Sequence, residues 1–116
     1  MLKIYGIPAC NTMKKTFEFL QAKGLSFEFI NYKKNGIKPE ELQNFIDHLT
    51  LEKVFNKQGS TYRQLPEEMK TALNDPKKAF EFLLEKNSAI KRPIIVAKNR
   101  IIAGFNENEL DKWLNI

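Results

Sequence analysis

The chain of 116 residues holds one cysteine, Cys10, and one histidine, His48. A lone cysteine cannot close an internal disulfide, so the fold has to stand on its packed core, and a reducing cytoplasm is its natural home. One cysteine and one histidine cannot assemble a zinc site either, and no metal centre is expected. Long apolar runs are missing as well. The N-terminal run is a few residues long and carries Lys3, far short of the ~20 apolar residues of a membrane helix, so neither a membrane segment nor a secretory signal is expected. Charge of one sign never gathers into a block of five or six. Residues 1–58 carry nine Lys against six Asp/Glu and residues 59–116 ten Lys/Arg against eight, so +3 and +2 make up the net +5. No groove-binding motif or aromatic-and-basic platform accompanies that excess. Direct nucleic-acid binding is therefore not expected, and the charge predicts only a mild preference for anionic ligands.

The length and a hydrophobic share of 42% suit a single domain over residues 1–116 with one core. Residues 2–5 form an apolar run ended by Gly6 and Pro8, which predicts a short buried strand. From Thr12 to Lys23, Met13, Phe17, Leu20 and Ala22 recur at helical spacing, and Gly24 supplies the stop. A second strand is predicted over Leu25–Tyr32, followed by a turn at residues 33–36. Strand, helix and strand in that order form a right-handed parallel unit. The middle third reads as helical throughout. Pro39 with Glu40 and Glu41 opens a helix to Leu49, with Leu42, Phe45 and Ile46 on its apolar stripe. A short helical piece at residues 51–55, an irregular polar segment at 56–62 and a helix from Pro66 to about Asn74 follow. Asp75 as cap and Pro76 start a helix through Lys86, and 87–92 is a loop. Residues 94–97 are strongly apolar, Lys98-Asn99 suits a tight turn and residues 101–103 form the antiparallel partner. Asn106 and Glu109 resemble a capping box for a last helix carrying Leu110, Trp113 and Leu114. The order β-α-β, helices, β-β-α predicts an α/β protein: a mixed sheet of about four strands, with a helical insertion at about 37–90.

Few residues can carry chemistry. Cys10 falls between a strand's C-terminal end and a helix's N-terminus, where unpaired N–H groups and the helix dipole favour thiolate. A pKa lowered from roughly 8.5 to about 6 would raise the thiolate share at neutral pH from a few per cent to about nine-tenths. From position alone, a small buried hydrophobe is an equal alternative. Lys14 and Lys15 oppose the dipole by ~0.3–1 kcal/mol each. An anion at Cys10 offsets that cost, while two solvated lysines simply bear it. Arg92 precedes Pro93 at the head of the most apolar strand, and its guanidinium can present a bidentate fork to an oxyanion or make an ordinary salt bridge. Asn56 and Arg63 flank the polar Gln58-Gly59-Ser60-Thr61 segment, which is either a binding loop or a plain connection. His48, beside Asp47 on an amphipathic helix, reads as a surface residue.

With Gly6-Ile7-Pro8-Ala9-Cys10-Asn11-Thr12-Met13-Lys14-Lys15 in place, the chain resembles the arsenate reductase/Spx family of thioredoxin-fold proteins, in its YffB-like branch. Asn56-Lys57-Gln58-Gly59-Ser60-Thr61-Tyr62-Arg63-Gln64-Leu65, Lys91-Arg92-Pro93-Ile94 and Gly104-Phe105 fit the same branch. The resemblance implies a thioredoxin-like fold, Cys10 as nucleophile at the head of the first helix, Arg92 beside it and Pro93 as a cis-proline facing it. Glutaredoxin-coupled arsenate reductases use three arginines for the oxyanion and glutathione. Here only Arg92 matches, the other two positions falling on Asn56 and Gly104. In the Spx regulators, which bind RNA polymerase, a Cys-x-x-Cys switch is common. Its second position here is Met13, which excludes a dithiol switch within the chain.

These readings combine into an expected thiol-dependent reductase of glutathione type, with Cys10 and Arg92 as catalytic residues. Thr12, Lys14, Asn56, Arg63 and Pro93 are the expected substrate-binding residues. No bound cofactor is expected; glutathione or another small thiol serves as co-substrate, with glutaredoxin as a further candidate partner. An Spx-type regulator that binds RNA polymerase is the alternative, and arsenate reduction ranks third.

Overall fold

The computed structural model describes residues 2–8, 11–97 and 100–114, the last two of these by backbone alone. The predicted turn at Lys98-Asn99 and the inward placement of Trp113 and Leu114 lie outside the described residues. The chain forms two compact units: residues 1–31 with 92–116, and residues 32–91.

The first unit is built on a four-stranded mixed sheet in the order β2-β1-β3-β4. β1 (Leu2–Gly6) pairs in parallel with β2 (Phe27–Asn31), Ile4 opposite Phe29. On its other edge β1 runs antiparallel to β3 (Ile94–Ala97), Tyr5 opposite Ile94, and β3 runs antiparallel to β4 (Arg100–Ala103). With α1 (Asn11–Ala22) crossing from β1 to β2 and α8 (Glu107–Leu114) after β4, the unit has the element order read from the sequence and is thioredoxin-like, as the family resemblance implies. Leu2 and Ile4 from β1, Met13 and Leu20 from α1, Ile95, Ile102 and Leu110 form one buried cluster. Each fully buried side chain of this size contributes about 1.5–3 kcal/mol of transfer free energy. The Phe17 ring stacks on Phe27 at 5.3 Å and meets Phe29 edge-on at 5.2 Å, which seats α1 against β2. Thr16 is buried at the same helix face, and its hydroxyl donates to the Thr12 carbonyl at 2.7 Å, so no polar group is orphaned there.

α1 ends where Gly24 predicts. Gly24, at φ +70°, donates to the Gln21 carbonyl, and the Leu25 N–H donates to the Leu20 carbonyl, each at 3.0 Å. That pair of bonds is a Schellman closure, which needs the left-handed backbone glycine adopts freely. β2 is shorter than predicted, because this closure consumes Leu25 before the strand can begin.

The second unit is helical. Its elements are α2 (Tyr32–Asn35), α3 (Pro39–Leu49), α4 (Leu51–Val54), α5 (Ser60–Arg63), α6 (Glu67–Ala72), α7 (Pro76–Glu85) and a 3-10 turn at Asn87–Ala89. α3 has the predicted limits and buries Leu42 and Phe45. Its first turn is fastened by the Glu41 carboxylate, which accepts the Lys38 N–H at 3.1 Å. Three local expectations change. Residues 32–35 wind into a helical turn rather than an open turn, because Tyr32 is fully buried and is held from both ends of its residue. The polar segment at 56–62 divides into a tight turn and α5. Asp75 occupies the cap position of α7 but its side chain makes no cap bond, so Pro76 alone sets that helix start. Among the described residues no helix is long and apolar enough to cross a membrane.

Candidate functional site

Cys10 lies outside the described residues, but both chain segments that flank it are in place. β1 ends at Gly6, Ile7 is half-buried and Pro8 exposed, and α1 starts at Asn11, the residue after Cys10 in sequence. The first turn of α1 contains no acidic side chain. Its N–H groups and positive dipole end are therefore left without a carboxylate from that turn. Thr12 is half-buried there, and Lys14 is exposed one residue beyond Met13.

The sheet register brings the next two residues to this end of β1. Because Tyr5 lies opposite Ile94, the segment entering β3 runs past Gly6, and Arg92 and Pro93 lie in that segment. The Arg92–Pro93 peptide is cis. Pro93 is buried and its carbonyl accepts the Gly104 N–H at 2.7 Å. Arg92 is half-buried, with its Nε withdrawn from solvent. Thr12, Lys14, Arg92 and Pro93 thus belong to one unit, Thr12 and Lys14 in the first turns of α1 and Arg92 and Pro93 in the segment entering β3.

Two neighbours sharpen this. Gly6 is in close approach to Met13: a Cβ built on Gly6 would fall 2.5 Å from Met13 Sδ and 2.6 Å from Cε. Met13 is fully buried in the core cluster, so the place that holds a second cysteine in a Cys-x-x-Cys switch is occupied here by a packing residue. Gly104 is buried with φ +83°, a left-handed conformation that costs a side-chain-bearing residue ~1–2 kcal/mol. An arginine of an oxyanion clamp at this position would have to bear that strain.

Asn56 and Arg63 belong to the second unit. The Asn56 Oδ1 accepts the Gln58 N–H at 3.2 Å, and its Nδ2 lies 2.9 Å from where a Cβ on Gly59 would stand. Its backbone N–H donates to the Ala89 carbonyl at 2.7 Å. Asn56 therefore shapes its own turn, and that turn leads into α5, where Arg63 is exposed. Tyr62 on the same helical turn carries two ammonium groups against its ring, Lys57 at 5.8 Å and Lys70 at 5.5 Å.

Sequence patterns do not reveal Lys57 and Lys70 as neighbours, nor the contacts of Tyr32. The Tyr32 hydroxyl donates to the Ile90 carbonyl at 3.0 Å and Asn87 Nδ2 donates to the Tyr32 carbonyl at 2.8 Å. These partners are 58 and 55 residues apart, beyond the reach of any local periodicity. Among the described residues no three His, Cys, Asp or Glu side chains gather as a metal site.

Comparison with known proteins gives the family. The chain is 32% identical over 109 residues to an uncharacterised protein of Haemophilus influenzae, covering 94% of this chain and 95% of that one. It is 28% identical to the global transcriptional regulator Spx of Enterococcus faecalis, over 98% of this chain and 86% of the regulator. The solved structure of a YFFB protein superposes with a TM-score of 0.90 at 35% identity, covering 97% of both chains. The ArsC family pattern matches residues 5–113, and the chain belongs to the ArsC family.

Proposed function

We propose that the protein is a thiol-dependent reductase that uses Cys10 as its single nucleophile and takes a second thiol from solution. The observation that supports this reading most is the register of β1 against β3: Tyr5 lies opposite Ile94, so the segment holding Arg92 and Pro93 enters the sheet beside the end of β1 that leads on to α1. A helix start without its own carboxylate favours the thiolate, and Lys14 adds positive charge. In this reading the Thr12 hydroxyl donates to the same anion, and Pro93 bounds the site. Arg92 holds a carboxylate or other anion of the incoming molecule.

The chemistry balances with glutathione as the thiol. The Cys10 thiolate attacks the glutathione sulfur of a mixed disulfide, forming a Cys10–glutathione disulfide and releasing the substrate thiolate, which takes up a proton. A second glutathione thiolate attacks that disulfide, yielding glutathione disulfide and restoring the Cys10 thiolate. The mixed-disulfide bond takes up two electrons, which its own glutathione and the one added glutathione give up on ending as glutathione disulfide. Glutaredoxin is the alternative donor for the second step. Met13 in place of a second cysteine is the reason an outside thiol is needed.

Alkylation by iodoacetamide as a function of pH tests the first step. A rate profile set by a thiol pKa well below 8.5, absent in Cys10→Ser, supports the proposal, and an ordinary value refutes it. Mass spectrometry after exposure to a glutathionylated peptide is expected to find one glutathione on Cys10, removed by added glutathione.

The similarity to Spx over nearly the whole chain favours one second reading, an interaction protein that binds RNA polymerase without a redox switch. Capture of RNA polymerase from lysate equally by wild-type and Cys10→Ser protein, with ordinary thiol reactivity, would select it.

A further inference from the structure

Residues 33–36 hold the one Asn-Gly pair of the chain, Asn35-Gly36. Asparagine before glycine is chemically labile, because glycine has no side chain to keep its amide nitrogen away from the carboxamide ahead of it. The fold leaves both partners accessible. Asn35 is the last residue of α2, and it and Gly36 are exposed. Gly36 has φ +75°, and a Cβ built on it would meet no atom within 4 Å, so nothing crowds a ring closing over this peptide. A helix holds an asparagine's carboxamide away from the next nitrogen, but α2 is a single turn of four residues, and the end of a single turn frays readily. Tyr32 before it and Ile37 after it are buried, which confines the fraying to residues 33–36. Asn87-Ser88, the pair with the next-smallest following side chain, is treated in the opposite way. Asn87 is half-buried in the 3-10 turn, and its Nδ2 donates to the Tyr32 carbonyl at 2.8 Å. Folding thus holds one labile asparagine and exposes the other.

We propose that Asn35 is a modification site of the folded protein, converting to isoaspartate and aspartate through a cyclic imide formed with Gly36. The Gly36 amide nitrogen attacks Cγ of Asn35, its proton passes to the departing side-chain nitrogen, and ammonia leaves. Water then opens the imide at either carbonyl. Addition at Cγ gives aspartate. Addition at the main-chain carbonyl gives isoaspartate, with the chain running on through Cγ and the new carboxylate on Cα. Water replaces ammonia in both cases, and nothing is oxidised or reduced. Each product places a negative charge beside Lys33 and Lys34, and the net charge of +5 becomes +4. Isoaspartate also lengthens the main chain by one carbon between the buried Tyr32 and Ile37, and the exposed turn at Gly36 takes up the extra atom. The α-carboxylate so formed is the group that an S-adenosylmethionine-dependent isoaspartyl methyltransferase esterifies, which fixes the class of enzyme that would act on this product.

The test incubates the full chain at mildly alkaline pH in water enriched in oxygen-18, folded in one sample and unfolded in guanidinium chloride in another. A glutamate-specific protease then releases residues 29–40, and mass spectrometry with fragmentation reads residue 35. In the folded sample Asn35 is expected to be lost progressively, with uptake of one oxygen-18 at each conversion and isoaspartate exceeding aspartate, while Asn87 stays intact. In the unfolded sample both asparagines convert. Methyl transfer from S-adenosylmethionine by purified isoaspartyl methyltransferase is expected to label the aged folded wild type and not the aged folded Asn35→Gln. Gly36→Asp, whose side chain tolerates the left-handed backbone, is expected to slow the conversion of Asn35 severalfold in folded and unfolded chain alike. An Asn35 that stays intact in the folded sample while it converts in the unfolded one overturns the proposal. So does conversion of Asn87 ahead of Asn35 in the folded protein. An unchanged rate in unfolded Gly36→Asp refutes attack by the residue-36 nitrogen even where that variant does not fold.

Discussion

Gly6→Ala separates two physical arguments that predict opposite signs. Gly6 ends β1 and is not among the glycines with positive φ, so alanine can adopt its backbone. On conformational entropy alone the substitution stabilises by roughly 0.5–1 kcal/mol. The packing says otherwise. The new Cβ would lie 2.5 Å from Met13 Sδ and 2.6 Å from Cε, where ordinary contact needs about 3.5–4.0 Å. Met13 must therefore retreat by about an ångström, and it is fully buried among Leu2, Ile4, Leu20 and Leu110. A thioether adapts better than a branched side chain, which keeps the cost near the middle of the ~1–3 kcal/mol seen for overpacked cores. Net of the entropy gain, about 1–2 kcal/mol of destabilisation is expected. Urea denaturation followed by circular dichroism reads this as a lower midpoint at unchanged m. The decisive comparison is a double-mutant cycle. Met13→Ala alone should cost about 2–5 kcal/mol, and in that background Gly6→Ala should become neutral or stabilising, because the atoms it strikes are gone. Additive effects, or a rise in midpoint from Gly6→Ala alone, would refute the contact as the reason for glycine at this position.

Other outcomes follow from single features. Thr50 has φ 117° and ψ 153°, a region close to glycine's own, while its hydroxyl accepts the Lys53 N–H at 3.3 Å. Relief of about 1–3 kcal/mol of strain in Thr50→Gly outweighs about 0.4–1 kcal/mol of added chain entropy and a few tenths for the cap, so the melting temperature should rise; a fall contradicts the strain. Gly104→Ala should lose about 1–2 kcal/mol in the same urea assay, since alanine at φ +83° is strained; an unchanged midpoint would count against that backbone. Arg92→Lys retains the charge and loses the planar fork, so the KM for a glutathionylated peptide should rise about tenfold or more, and an unaffected KM would remove Arg92 from the site.

Regular elements were legible wherever local signals agreed. Pro39, Glu40 and the stripe Leu42, Phe45 and Ile46 all point to one helix, and α3 has those limits. Residues 94–97 were equally plain, being apolar on every position of a strand buried in the middle of the sheet. The signals failed where a distant partner decides. Tyr32 looks like the last residue of a strand, but the carboxamide of Asn87 and the carbonyl of Ile90 draw it into a helical turn. The polarity of residues 56–62 suggests an open loop. Asn56 turns the chain on itself and the Thr61 hydroxyl meets Ser88 at 2.8 Å, which lets α5 form. In the candidate site, Arg92 and Pro93 were legible as residues, but their placement at the end of β1 depends on strand register. That register is defined by pairing on both edges of β1, with β2 on one side and β3 on the other, a property of the assembled sheet.

The composition of the first unit from residues 1–31 and 92–116 also dictates an order of events during synthesis. β1 can pair with β2 as soon as residue 31 is available, but its opposite edge waits for Ile94–Ala97, about sixty residues later. During that interval residues 32–91, a continuous helical stretch, can fold as a unit. Until then the nascent β1 presents an open, apolar edge of the kind that seeks other strands, and Lys3 is its one charged residue. A chain truncated before β3 is expected to carry this edge into aggregates.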